Sequence, residues 1–151
     1  FLPRATDGDL GYLSGMCMSH SPYVSDQMID LDLGKITNAS RIDIYFWALA
    51  YPETMTLMTS PDDRDWSIRK GNFNTSESVT VNSPSGDPLK KISFAWSDYP
   101  AFRNLLVMMP NGTRIMSVRP RIGPFQGFYL ADMKVYPPRS REAMRIRVRG
   151  G

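Results

Sequence analysis

The chain has very few of the residues on which common catalytic chemistry depends. A single cysteine in 151 residues, Cys17, excludes an intramolecular disulfide framework and a cysteine-cluster zinc site. A single histidine, His20, argues against histidine-ligated metals and a Ser–His–Asp triad. The longest uncharged apolar run, residues 44–51, is far short of the roughly 20 residues of a membrane-spanning helix. Twelve prolines and eleven glycines interrupt the chain too often for a long helical bundle. No segment carries a 3.6-residue apolar stripe with caps at both ends, and residues 97–106 have room for one helical turn at most, limited by Pro100. What is present, 42% hydrophobic and 22% charged residues, is enough to bury the core of one domain.

The net charge of +3 is unevenly placed. Residues 139–151 carry five arginines and one glutamate, +4, so residues 1–138 sum to −1. A nucleic-acid binder spreads Lys and Arg over a face with aromatics interleaved, and this near-neutral body argues against that class. Within the tail, Met144-Arg145-Ile146-Arg147-Val148-Arg149 alternates strictly. As an extended strand it places three arginines on one face and Met, Ile and Val on the other. That pattern is expected of an add-on strand docking on its own sheet edge or on a partner, with the arginines favouring an anionic surface.

Three sequons, at Asn38, Asn74 and Asn111, exceed the roughly one expected by chance and point to a secretory history. The chain begins at Phe1 with no signal-peptide pattern, as expected of a processed or excised chain. An extracellular or cell-surface location after signal removal is the expectation. Import into mitochondria, or another intracellular complex, is the alternative.

Residues 1–26 read as a loop-rich segment with one short strand, packing on the domain. Strand signals begin at Met28-Ile29-Asp30-Leu31-Asp32-Leu33, which alternates and is expected to stop at Gly34-Lys35. Further strands are expected at 42–47, 54–59, 78–81, 91–96, 104–109, 114–118 and 129–136, separated by turn signals such as Ser60-Pro61-Asp62-Asp63 and Asn111-Gly112. Spacing of this kind predicts an all-β antiparallel sandwich of about eight short strands over residues 27–138, followed by the basic tail.

Several of these segments resemble discoidin-type domains, also called coagulation-factor C-type domains, of the galactose-binding-like jelly-roll superfamily. Gln27-Met28-Ile29-Asp30-Leu31-Asp32-Leu33-Gly34 is similar to the family's first strand, which ends in D-L-G. Met58-Thr59-Ser60-Pro61-Asp62-Asp63-Arg64-Asp65-Trp66 resembles its S-x-D-G-x-x-W turn, with Asp63 in place of glycine. Phe102-Arg103-Asn104-Leu105-Leu106-Val107 partly matches its arginine-bearing strand, and residues 129–136 its closing strand. The resemblance covers about residues 27–136 and implies a two-sheet jelly-roll, with Trp66 covering one end of the core. It also implies that recognition lies in the loops at one end, here residues 48–53 and 119–127. Trp47, Tyr51, Arg119, Arg121, Phe125 and Gln126 are the candidate contacts, arginine beside aromatic suiting a glycan, an anionic lipid headgroup or a protein. Packing in the core is the competing role for Trp47 and Tyr129.

The acidic residues read as structural. Asp62, Asp63 and Asp65 lack the ligand spacing of an EF-hand and suit a solvated turn. Some members of the superfamily bind calcium, so the resemblance leaves open a calcium site built from backbone carbonyls. Asp30 and Asp32 share a strand face, as a pair of glycosidase carboxylates can, but Asp32 is placed to cap the turn that follows it. No cofactor and no catalytic residue is expected. Two functions fit the sequence: a non-catalytic binding or adhesion module, or a subunit of a large assembly clasped by its tail.

Overall fold

The computed structural model describes residues 17–18, 27–75, 78–120, 127–144 and 147–148. Twelve strands and no α-helix occur among them: β1 (Cys17–Met18), β2 (Gln27–Asn38), β3 (Arg41–Trp47), β4 (Tyr51–Pro52), β5 (Thr54–Ser60), β6 (Ser67–Asn74), β7 (Val79–Asn82), β8 (Pro88–Ala95), β9 (Ala101–Met109), β10 (Ile115–Met116), β11 (Tyr129–Tyr136) and β12 (Arg147–Val148). Eight of them have four or more residues; β1, β4, β10 and β12 have two each. One sheet has the order β1-β11-β3-β8-β7 and the other β12-β2-β9-β5-β6, with β4 and β10 forming a separate ladder. Every pairing is antiparallel. The expected β-sandwich is therefore the observed architecture.

The core lies between the two sheets. Ile29 and Leu31 of β2, Met55 and Leu57 of β5, and Leu105, Val107 and Met109 of β9 face Ile42, Ile44 and Phe46 of β3, Ile92 of β8, and Met133 and Val135 of β11. Strand β3 is buried on both faces, since Asp43 and Tyr45 on its outer side are also covered. That is why its sequence alternates only in part.

Five local readings need correction. Strand β2 does not stop at Gly34. Register passes from Asp32↔Asn104 to Thr37↔Phe102, so residues 33–36 bulge out while the strand continues to Asn38. Gly34 turns this bulge with φ 84°, a conformation L-residues disfavour, and its N–H donates to Asp32 Oδ1 at 2.8 Å. Strand β6 was not expected, because Ser67–Asn74 is polar and contains Gly71. As the outer edge of its sheet it needs only one packed side. The segment 114–118 yields only Ile115–Met116, and residues 101–106 are strand, not a helical turn. Trp66 is half-buried and lies outside the core cluster; Trp96 packs there instead, edge-on to Phe102 at 5.9 Å. Of the N-terminal segment, Cys17–Met18 is described, pairing with Leu130 and Tyr129.

Candidate functional site

Three connections meet at one end of the sandwich: β3–β4, β7–β8 and β10–β11. They are tied together through the backbone. Ala48 N donates to Pro88 O and Val118 N to Ala48 O, each at 2.9 Å, and Tyr129 N donates to Ala50 O at 2.9 Å. Because Val118 and Tyr129 flank residues 119–127, both ends of that connection are anchored to the turn after Trp47. Beneath them, β4 pairs with β10, and Glu53 receives Arg114 in a bidentate contact of 2.7 and 2.8 Å. The Arg114 hydrogen bonds hold the Glu53 carboxyl below its ordinary value.

Of the six loop residues expected to make contact, Trp47 and Arg119 are at the surface of this end. Trp47 is half-buried and meets Tyr129 edge-on at 5.3 Å, within a second cluster formed with Tyr45, Leu89 and Ala131 on the outer side of its sheet. One side of the indole is thus fixed by packing while part of it remains accessible. Arg119 is exposed and forms no ion pair among the described residues. Tyr51 is different. It is 7% exposed and belongs to the main core, with Lys90 Nζ 5.4 Å from its ring centroid, and burial raises its phenol above the ordinary value. Its ring supports the turn from below and cannot offer a stacking face. Arg121, Phe125 and Gln126 lie outside the described residues. Phe128, at the end of the connection, is buried edge-on to Phe46 at 5.9 Å.

In the tail, Met144 N donates to Val135 O at 2.6 Å, and the Met144 side chain packs against the core. Arg147 and Val148 pair with Asp32 and Leu31, adding β12 to the edge of β2. The described part of this strand is Arg147–Val148, and the edge it meets belongs to its own chain. Arg145, Ile146 and Arg149 lie outside the described residues.

The acidic clusters are engaged locally. Asp62 Oδ1 accepts from the backbone N–H groups of Arg64 and Asp65, both at 2.9 Å, and from Ser60 Oγ at 3.1 Å. These bonds, Asp65 N–H foremost, lower its pKa. Asp63 sits at φ 64°, where the related turn has glycine. Asp32 receives the Arg103 guanidinium at 2.9 and 3.2 Å besides its cap on Gly34. No group of three or more His, Cys, Asp or Glu side chains placed to hold a metal occurs among the described residues. All three sequon asparagines are exposed; Asn38 Nδ2 donates to Tyr99 O at 2.7 Å.

One polar cluster had no reading in the sequence. Asp43 is 1% exposed on the outer side of β3, accepts from Ser93 Oγ at 2.7 Å, and faces Arg41 at 3.3 Å and Lys91 at 3.9 Å. Burial, with the Asp43 charge adding to it, pushes the adjacent Tyr45 phenol up to about 12. Its only trace in the sequence is an acid between Ile42 and Ile44.

Neither a protein-family model nor a curated protein matches the sequence. Solved structures do match in three dimensions. The module CpGH89CBM32-6 produced by Clostridium perfringens is 15% identical, with 89% of this chain and 83% of that one covered and a TM-score of 0.59. Chitosan-binding module 1 derived from the chitosanase/glucanase of Paenibacillus sp. IK-5 is 21% identical over 90% and 84% of the two chains, with a TM-score of 0.55. CpGH89CBM32-4 of Clostridium perfringens, solved in complex with GlcNAc-α-1,4-galactose, is 13% identical over 89% and 80%, with a TM-score of 0.52. These neighbours are family 32 carbohydrate-binding modules and their like, and the chain shares with them the discoidin-like, galactose-binding-like jelly-roll fold.

Proposed function

We propose that the chain is a non-catalytic glycan-binding module whose ligand sits on the connections around Trp47. The observation that carries this reading is the half-exposed indole of Trp47, held edge-on by Tyr129 at the end where both ends of residues 119–127 are anchored, in a fold shared with carbohydrate-binding modules. An immobilised aromatic offers a flat apolar surface to the C–H face of a sugar ring at little cost in conformational entropy. Arg119, with Arg121 and Gln126 from the same stretch of sequence, supplies hydrogen-bond donors for sugar hydroxyls. Phe125 is a second candidate apolar contact. Pairing of β12 with β2 uses the tail within the chain, which favours this reading over an assembly subunit clasped by its tail. The exposed sequon asparagines fit an extracellular setting.

The test is a titration of tryptophan fluorescence with galactose-, N-acetylglucosamine- and glucosamine-terminated oligosaccharides, repeated on Trp47→Ala. Saturable binding to at least one of them is expected, weakened about tenfold or more by the substitution. Absence of binding to a broad glycan panel, or binding untouched by Trp47→Ala, would overturn the assignment.

A further inference from the structure

The chain has six asparagines, at positions 38, 72, 74, 82, 104 and 111, and the backbone that follows each one differs. An asparagine side chain can be attacked from within by the amide nitrogen of the next residue. A nitrogen held in a hydrogen bond is not free to swing onto that side-chain carbonyl carbon. Three of the six are guarded in this way. Ala39 N donates to Pro100 O at 3.1 Å, Thr75 N to Glu53 O at 2.8 Å, and Ser83 N to Asp87 O at 2.9 Å. Asn72-Phe73 and Asn104-Leu105 lie inside β6 and β9, where extended backbone and neighbouring strands fix the peptide.

Asn111 is the exception. It and Gly112 are exposed in the connection between β9 and β10. That connection is a reverse turn, closed by Thr113 N on Pro110 O at 3.0 Å and by the Thr113 hydroxyl on the same oxygen at 2.6 Å. Gly112 N–H lies inside the turn and donates no hydrogen bond among the described residues. Gly112 has φ 85°, and a Cβ built on it would meet no atom within 4 Å, so nothing crowds the nitrogen.

We propose that Asn111 is a site of spontaneous deamidation, with water as the co-reactant and no enzyme required. Gly112 N attacks Asn111 Cγ, and the new C–N bond closes a five-membered succinimide. The Cγ–Nδ2 bond breaks, and Nδ2 leaves as ammonia with the proton from Gly112 N. Water then opens the ring at either of its two carbonyls. One opening leaves aspartate at position 111; the other leaves isoaspartate, in which the chain runs through the side-chain carbonyl. Both add a negative charge three residues before Arg114. Both also erase the third sequon, because Asn111-Gly112-Thr113 no longer has an amide for a glycan to join. Glycosylation and deamidation are thus alternative fates of one nitrogen.

The experiment uses the full chain made in a host without N-glycosylation. It is incubated at neutral and at mildly alkaline pH and sampled over days by peptide mass spectrometry, with ammonia assayed in the same samples. Loss of the amide at Asn111 is expected to outpace that at each of the other five asparagines about tenfold or more, since their peptides are held by backbone structure. Aspartate and isoaspartate should both appear, with one ammonia released per converted chain. The rate should rise with pH, because the attacking nitrogen reacts as its conjugate base. Gly112→Ala should slow the reaction about tenfold or more, because a Cβ hinders ring closure and restricts the backbone. The comparison among the six asparagines needs no variant, so it decides the matter even if the alanine variant fails to fold. An amide intact at Asn111 while another asparagine converts, aspartate formed without isoaspartate, or a rate unchanged in Gly112→Ala would overturn the assignment.

Discussion

Replacing Asn104 by leucine should stabilise the protein. The residue is 1% exposed in the middle of β9, and neither its Nδ2 nor its Oδ1 has a hydrogen-bond partner among the described residues. Its register neighbours are polar, Asp32 on β2 and Ser60 on β5, yet both are committed elsewhere. Asp32 is held by Arg103 and the Gly34 N–H, and Ser60 exchanges hydrogen bonds with Asp62. A buried amide without partners costs about 1–3 kcal/mol, and removing it for an apolar group of similar shape recovers that cost. Asn104→Leu is therefore expected to gain about 1–3 kcal/mol, or roughly 2–4 °C in Tm per kcal/mol for a chain of this size. The control is Ser93→Ala, where the hydroxyl of an otherwise exposed residue donates to the buried Asp43 carboxylate; losing that bond to a charged group should destabilise the protein, by up to about 1.5–3 kcal/mol. Urea unfolding separates the two by midpoint, provided the slope with denaturant stays constant. A loss of more than about 1 kcal/mol in Asn104→Leu at constant slope would refute the reasoning and show that the amide has a partner, such as a bound water.

Other expectations follow from single residues. Gly34→Ala should cost about 1–2 kcal/mol by equilibrium unfolding, because φ is 84° although nothing lies within 4 Å of the added carbon. Gly71→Ala, at ordinary φ and ordinary contact distance, should instead be neutral or stabilising by up to about 1 kcal/mol. Tyr45, with its phenol raised to about 12, stays protonated in the folded state where the unfolded chain ionises. Its contribution to stability is intact below pH 10 and is lost as pH rises from 10 to 12, which Tm against pH and tyrosinate absorbance will follow. Truncation after Met144 removes β12, so hydrogen exchange should accelerate at Leu31 and Asp32 and stay unchanged in β3.

The fold was legible where one face of a strand is buried and the other is wet. Residues 28–33 alternate because they send Ile29 and Leu31 into the space between the sheets and leave the other row wetter, whereas 54–59 and 129–136, buried at most positions, are legible through their β-forming residues, and β11 runs over the very residues marked. Legibility fails where that condition fails. Strand β6 needs no apolar row on its outer edge, and Ile68 is exposed there, so periodicity had little to detect. Gly34 looked like a stop because glycine at positive φ ends strands and bulges them alike; only the pairing partner, Asn104 and then Phe102, distinguishes the two.

The candidate sites divide along the same line. Asp32 and Asp62 could be assigned as caps, since each bonds backbone within three residues and the partner is written beside it in the chain. Tyr51 could not be told from Trp47, because an aromatic beside a turn is either a platform or a plug, and which it becomes depends on what closes over it from elsewhere in the chain. Here β10 pairs with β4 and draws Tyr51 into the core, while Trp47 stays on the outer side of its sheet against Tyr129.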